Sequence, residues 1–256
     1  MISVIVPTLD SETTLASSLS ALVPAVVDGF VREVIIVDGG SRDRTLRIAE
    51  QAGATVVHAP RGRGRQIAAG VERARGTWLL VLHADTVLDP GWLRDAASFM
   101  EKVDTGRKAR SAAAFRFALD DDGLAPRLLE ACVAVRAGIF KCPYGDQGLL
   151  IPKSLYKDLG GYRPMPIMED LEFIGRIGAR RMTVLRSAAV TSPSRYRAEG
   201  YLRRVLRNQY CLMLYFLGRP VEDIATVYYP HARAEDTDGE ELLAPALPVK
   251  GEKDHG

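Results

Sequence analysis

The chain has 256 residues, 47% hydrophobic and 26% charged, with 34 Lys and Arg against 32 Asp and Glu for a formal net charge of +2. These values sit near the averages for soluble globular proteins and exclude collagen-like, disulfide-scaffold and wholly disordered chains; so small a net charge also argues against a nucleic-acid binder. Cys132, Cys142 and Cys211 form no close pair, so neither a disulfide framework nor a zinc site is favoured, and a reducing cytoplasm suits them.

Met1 to Pro7 lacks the basic start, apolar centre and cleavage site of a signal peptide and reads instead as a strand over Ile2 to Val6. Thr13 to Val27 places Leu15, Leu19, Leu22 and Val23 on one helical face. Val34 to Val37 is a second β-branched strand, Ser41 is placed to cap a helix from Arg42, and Ala54 to Val57 is a third strand. A helix over Gly64 to Arg75 and a strand over Trp78 to Leu82 complete a β-α rhythm. It predicts an α/β fold with a mostly parallel central sheet flanked by helices, its ligand at the carboxyl ends of the strands.

Beyond Pro90 the alternation stops. Helices are expected over Trp92 to Val103, Ala125 to Phe140 and Glu169 to Gly178, and strands over Ala112 to Leu119 and Met182 to Arg186. Pro143 to Pro166 is punctuated by Gly and Pro, and Arg197 to Leu217 is a basic, apolar-striped C-terminal helix. No apolar run reaches the roughly 20 residues of a membrane-spanning helix; Tyr210 to Leu217 stops at Gly218-Arg219-Pro220. We expect one domain over residues 1–230 and a polar, disordered tail over 231–256.

Several segments carry candidate chemistry at these strand and helix ends. Asp85, just past the strand ending at Leu82, is either a turn cap or a ligand for a hard cation shared with substrate phosphates. His83 beside it is either structural or a second polar contact. Asp38-Gly39-Gly40-Ser41 allows close backbone approach to a ligand, and Arg61, Arg63 and Arg65 on a Gly-containing loop are either a solvated basic loop or phosphate partners. Gly145-Asp146-Gln147 precedes Glu169-Asp170, which either complements a helix dipole or supplies a general base.

Taken in order, these segments resemble glycosyltransferase family 2, inverting enzymes with the nucleotide-sugar-binding GT-A fold. Ser3 to Leu9 resembles that family's opening strand, Ile36 to Thr45 its second-strand motif, His83-Ala84-Asp85 its metal-binding D-x-D, and Gly160-Gly161-Tyr162 with Met168-Glu169-Asp170 its acceptor loop and catalytic acidic pair. The combination of Val37 to Ser41, Ala59 to Arg63, Leu82 to Thr86, Gly145 to Gln147 and Met168 to Asp170 is similar to a bacterial subgroup labelled arsenosugar-biosynthesis-associated glycosyltransferases. Two departures stand out: His83 replaces the first Asp of D-x-D, and Gly39 replaces the second Asp of Asp-Asp-Gly-Ser, where uracil contact is often assigned.

The resemblance implies Asp170 as base with Glu169 supporting it, and Asp85 as ligand of Mg²⁺ or Mn²⁺. A nucleotide-sugar site is implied around Pro7, Thr8, Leu9, Asp38, Gly39, Arg61, Arg65, His83, Ala84 and Asp85. Asp38 or the backbone of Pro7 to Leu9 then meets the base of a UDP-sugar, and Gly145, Asp146 and Gln147 face the donor sugar or an unknown hydroxyl acceptor.

Two rivals share these features. A sugar-nucleotide nucleotidyltransferase would need a Gly-rich basic loop after the first strand, where Pro7-Thr8-Leu9-Asp10 stands. A non-catalytic nucleotide-sugar-binding protein would not need both Asp85 and Asp170. The basic and aromatic composition of Arg197 to Leu217 (Arg197, Arg203, Arg204 and Arg207 among apolar residues) suits an anionic membrane surface, a lipid or lipid-linked acceptor and a cytoplasmic, peripheral location. The same stripe suits core packing or a homodimer contact.

Overall fold

The computed structural model describes residues 1–139, 143 and 145–229; the tail over 231–256 and Cys142 lie outside them. β1 (Ile2–Thr8) is buried along its whole length. It lies between β2 (Val31–Asp38) and β4 (Trp78–Val81), parallel to both, and β3 (Thr55–His58) extends the sheet beyond β2. Burial on both faces explains the unbroken apolar runs. Ile2, Val4 and Val6 join one core with Leu80, Trp92 and Phe99, while Ile5 joins another with Val37, Ile67, Val71 and Phe173.

The expected helix over Thr13 to Val27 is two helices, α1 (Leu15–Ser20) and α2 (Val23–Val27). Pro24 sits at the start of α2, where its missing N–H costs nothing, whereas inside a continuous helix its ring would clash with the preceding turn. The helix expected from Arg42 begins later, as α3 (Thr45–Gln51). Ser41 does not cap it, because its hydroxyl donates to Asp38 and accepts from the Asp10 N–H. α4 (Arg63–Arg73) lies across β1 and β2.

The second half adds antiparallel strands to the expected, mostly parallel sheet. After β5 (Thr86–Leu88), α5 (Trp92–Asp104), β6 (Ala112–Leu119) and α6 (Leu124–Ile139) comes β7 (Leu149–Pro152), inserted antiparallel between β4 and β6. After α7 (Lys153–Asp158) and α8 (Glu169–Ile177), β8 (Met182–Thr191) pairs parallel to β6 and antiparallel to β5. The strand order β3-β2-β1-β4-β7-β6-β8-β5 is therefore mixed. β5 and β7 have three and four residues, too short to display a period in sequence.

The helix expected over 197–217 is broken at Gly200, whose φ of 84° ends α9 (Ser194–Glu199) and starts α10 (Tyr201–Phe216); α11 (Val221–Tyr228) packs on α10. Most of its arginines are drawn into ion pairs. Arg197 meets Asp121 at 2.7 Å, Arg204 meets Glu199 at 3.0 Å and the Tyr228 hydroxyl at 2.6 Å, and Arg207 meets Glu199. Cys211 is buried with Ile167 and Ile224, so one side of α10 is core. The other side exposes Leu202, Leu206, Tyr210, Met213, Phe216 and Leu217. Among the described residues no helix is long and apolar enough to cross a membrane.

Gly70 is what lets α4 lie so close to the sheet. A Cβ there would stand 2.6 Å from Ile5 Cγ2 and 2.8 Å from Val37 Cγ2. Gly70→Ala gains about 1 kcal/mol of helix propensity, but overpacking two stiff β-branched side chains costs about 1–3 kcal/mol. A net loss of stability is expected, seen as a lower urea midpoint; an unchanged or higher midpoint would contradict this packing.

Candidate active site

The carboxyl ends of β1 and β2 meet at Thr8 and Asp38, and the loops that follow are zipped together. The Asp10 N–H donates to Ser41 Oγ at 3.0 Å, Arg42 N–H to Asp10 Oδ1 at 2.8 Å, Glu12 N–H to Asp43 Oδ2 at 2.9 Å and Arg44 N–H to Glu12 Oε2 at 3.0 Å. Asp10 adopts φ 47°, a left-handed conformation that Asp tolerates better than most residues. The result is a paired-loop rim beside Pro7, Thr8 and Leu9.

Asp38 is 1% exposed. Its Oδ2 accepts the N–H groups of Gly40 at 2.9 Å and Ser41 at 3.0 Å, and its Oδ1 accepts the Ser41 hydroxyl. This carboxylate holds the loop that follows β2. At Gly39 a Cβ would stand 3.1 Å from the Gln66 amide, so the loop packs closely on α4. Gln66, which the sequence did not single out, is buried on α4 and donates through Nε2 to Thr8 O at 2.8 Å and Val37 O at 2.7 Å. It ties the two strand ends together.

Arg61 is exposed in the loop before α4 and Arg65 is half-buried in its first turn. Arg63 is the member of that basic run that reaches the acidic centre, with Nη1 3.9 Å from Glu169 Oε1. Gly64 beside it admits the Arg163 carbonyl to within 2.3 Å of where a Cβ would sit, bringing the start of α4 against the loop that leads to α8.

His83-Ala84-Asp85 links β4 to β5, its backbone fixed by Ser18 Oγ on Ala84 O at 2.9 Å and Ser192 N–H on Asp85 O at 3.1 Å. Asp85 is half-buried. His83 Nε2 lies 4.0 Å from Asp170 Oδ2. Burial, then the neighbouring Arg63 and Arg195, pushes the His83 pKa well down, so the imidazole is neutral at neutral pH.

Over this pair folds the 3-10 turn Gly145–Gln147. Gln147 is buried and donates to Phe115 O at 2.9 Å, and Thr191 Oγ1 donates to Asp146 O at 3.3 Å, so the turn is bolted to β6 and β8. At Gly145 a Cβ would lie 2.0 Å from Asp170 Oδ2 and 2.8 Å from His83 Nε2; only glycine fits. Asp146 Oδ1 is buried with no hydrogen-bond partner among the described residues. Burial first pushes the Asp146 pKa up to about 6; Arg136 opposes this, Asp170 and Asp85 add to it, and Arg63 opposes it again.

Glu169 and Asp170 open α8, preceded by Met168 in a left-handed conformation with φ 66°. Such a conformation costs a non-glycine residue of order 1 kcal/mol and is held by its surroundings. Burial raises the pKa of both carboxyls. For Glu169 the neighbouring Asp170 adds to the rise and Arg63 opposes it; for Asp170 the opposing groups are Arg63, the Tyr162 hydroxyl and the Gly145 N–H. Tyr162, which the resemblance placed with Gly160-Gly161 in an acceptor-side loop, is buried nearby.

Asp85, Asp146, Glu169 and Asp170 thus concentrate negative charge at one end of the sheet, opposed by Arg63. Among the described residues no group of three His, Cys, Asp or Glu side chains is placed to hold a metal alone. Asp85 with the orphaned oxygen of Asp146 nearby fits a hard cation that takes one or two carboxylates and completes its shell on phosphates.

The raised Asp146 pKa has a consequence for stability. The folded chain binds more protons than the unfolded one between about pH 4 and pH 6, so this group makes stability fall as pH rises through that window. Asp146→Asn is expected to remove the decline and to be more stable than wild type near neutral pH by about 1–2 kcal/mol. Urea unfolding at a series of pH values measures it; an unchanged slope in the variant would refute the account.

Residues 3–128 match the family model "Glycosyl transferase family 2". Over 101 residues the chain is 37% identical to the PGL/p-HBAD biosynthesis glycosyltransferase Rv2957 of Mycobacterium tuberculosis, covering 34% of this chain and 36% of that protein. It is 34% identical over 95 residues to glucosyl-3-phosphoglycerate synthase of Mycolicibacterium paratuberculosis, covering 34% of this chain and 29% of that protein. The aligned region thus spans about a third of the length of these curated relatives.

In three dimensions it superposes on glucosyl-3-phosphoglycerate synthase from Mycobacterium tuberculosis in complex with Mn²⁺, UDP and glucosyl-3-phosphoglycerate. The TM-score is 0.57 and the identity 20%, covering 86% of this chain and 81% of that one. Residues 1–349 of S. aureus TarS also give a TM-score of 0.57, at 18% identity, covering 91% and 73%. Gly145 to Asp170 lie beyond the matched family segment. The chain therefore carries a glycosyl transferase family 2 domain over residues 3–128, set in a GT-A-like fold.

Proposed function

We propose that the chain is a metal-dependent inverting glycosyltransferase that moves a sugar from a UDP-sugar to an acceptor hydroxyl. The observation that carries this reading is the convergence of two remote acidic segments. The loop after β4 and the start of α8 meet with His83 Nε2 4.0 Å from Asp170 Oδ2, roofed by a glycine turn without room for a Cβ. The family match, and a structural neighbour solved with UDP and Mn²⁺, support donor and metal of that kind. We read residues 1–230 as one domain, and within the family we place the chain with the arsenosugar-associated subgroup on its motif combination.

Nucleotide recognition falls to the paired-loop rim and the backbone of Pro7 to Leu9, since Asp38 is spent on its own loop. Asp85 would hold Mg²⁺ or Mn²⁺, which when bound neutralises charge collecting on the departing diphosphate. Arg61, Arg65 and Arg63 stand at the start of α4, where cations and helix N–H groups favour phosphate oxygens. Asp170 takes the proton of the acceptor hydroxyl, Glu169 supports it from the same turn, and Gly145, Asp146 and Gln147 wall the sugar side. His83 and Ala84 carry the chain past the diphosphate as neutral groups.

The acceptor we propose is a lipid or lipid-linked hydroxyl taken up at the inner membrane face. In support, α10 exposes Leu202, Leu206, Tyr210, Met213, Phe216 and Leu217 with Arg203 beside them, and α9 abuts the site, where Arg195 acts on His83. With Arg197, Arg204 and Arg207 paired internally, the apolar stripe supplies most of the affinity.

Asp85→Asn is expected to lose metal-dependent UDP binding in calorimetry while keeping its fold; unchanged Mn²⁺-dependent affinity would sink the ligand assignment. Asp170→Asn is expected to bind donor normally and lose transfer by at least about two orders of magnitude. Co-sedimentation with anionic vesicles should be strong for wild type and largely lost for Leu206→Glu. Equal sedimentation of the two proteins, or none for either, removes the lipid-surface claim and leaves a soluble acceptor.

A further inference from the structure

β5 and β8 run antiparallel, and their register sets Thr86 opposite Thr191. Thr86 is fully buried and Thr191 is 8% exposed. Residues directly opposite in such a pair present their side chains on the same face, and here the two hydroxyls meet, Oγ1 to Oγ1, at 3.2 Å. Thr191 Oγ1 also donates to Asp146 O at 3.3 Å. A hydroxyl carries one proton. With the Thr191 proton committed to Asp146 O, the bond between the two hydroxyls runs one way: Thr86 donates and Thr191 accepts.

The two ends of this relay belong to different parts of the site. Thr86 follows Asp85 directly, and the backbone of that loop is pinned by Ser18 Oγ on Ala84 O at 2.9 Å and the Ser192 N–H on Asp85 O at 3.1 Å. Asp146 lies in the turn whose Gly145 packs against Asp170 and His83. The consecutive residues Thr191 and Ser192, at the end of β8, therefore hold the Asp85 loop and the Gly145–Gln147 turn at once.

We propose that Thr191 is a positioning residue for the transfer reaction: its hydroxyl, relayed through Thr86, clasps the Asp85 loop to the Gly145–Gln147 turn, so that cation ligand and base keep one spacing. This deepens the reading of Asp85 as cation ligand and Asp170 as base, and rests on it. A diphosphate held on the cation and a hydroxyl held at the base react only at a fixed separation, and a displacement of about 1 Å forfeits much of the rate. The proposal concerns the link between the two segments, since the Asp85 loop and the turn each keep an anchor of their own in Ser18 and Gln147.

Thr191→Val keeps the shape of the side chain and deletes the hydroxyl. The expected result is a fall in kcat of about three- to tenfold, the span of one neutral hydrogen bond, with Mn²⁺-dependent UDP affinity unchanged within about twofold. In the metal-free protein, amide hydrogen exchange over residues 145–148 should quicken by a similar factor. Thr191→Ser should restore both. Thr191→Val also strands the buried Thr86 hydroxyl, which by itself lowers the urea midpoint. The double variant Thr86→Val/Thr191→Val removes that stranded group and should regain part of the lost stability, while kcat and exchange stay at the values of the single variant. Recovery of kcat in step with stability in the double variant overturns the proposal, as does wild-type kcat or wild-type exchange in Thr191→Val. The exchange measurement needs neither metal nor donor and so judges the clasp alone; unchanged Mn²⁺-dependent UDP affinity in Asp85→Asn overturns instead the reading on which the clasp's catalytic role rests.

Discussion

Between the backbone of Gly145 and the side chains of Asp170 and His83 there is no space for a methyl group, and the rest of the site is arranged around that contact. The loop after β4 and the start of α8 come from different parts of the sheet, and the Gly145–Gln147 turn keeps them in register. Its own place is set by Gln147 on β6 and Thr191 on β8. Backbone-to-side-chain contact at this range makes the site rigid in the way close-packed interiors are rigid, with little slack to absorb substitution.

The same compactness creates an electrostatic problem. Asp85, Asp146, Glu169 and Asp170 share a region where burial raises the pKa of Asp146, Glu169 and Asp170, and Arg63 is the cation that opposes all three. His83 stands where the family has a carboxylate, 4.0 Å from Asp170. A neutral imidazole there spares the centre a further buried negative charge, which gives the departure a physical reason. A site loaded with like charge lowers the stability of the folded chain, a cost that the proposed cation and phosphates would relieve by attraction.

Much of this was legible in the sequence where a signal was local. β1, β2 and β6 are runs of apolar residues long enough to show buried strands, and Asp85 and Asp170 stand at a strand end and a helix start. β7 and β5 were invisible because a few residues cannot display a period, and Pro24 ended a helix that apolar spacing alone would continue. Gln66 could not be found at all, since its role exists only through partners brought close by folding. The carbonyls that Gln66 joins lie 58 and 29 residues away. The loop-holding role of Asp38 was hidden for a related reason: whether a carboxylate at a strand end turns inward or outward is decided by the three residues after it and their geometry.

The insertion of β7 has a consequence for how the chain comes to be folded. Trp78 pairs with Pro152 and Val81 with Leu149, so the edge of β4 is closed only by a strand that leaves the ribosome roughly seventy residues later. Until then β4 presents buried apolar side chains and unpaired backbone groups along an open edge, the feature that invites wrong pairing between chains. Residues 3–128, the segment that matches the family model, end before β7. Cut out alone, that segment would keep its central parallel strands and expose a bare margin where β7 closes the sheet. The evolutionary unit seen in the family match is smaller than the cooperative unit that must fold.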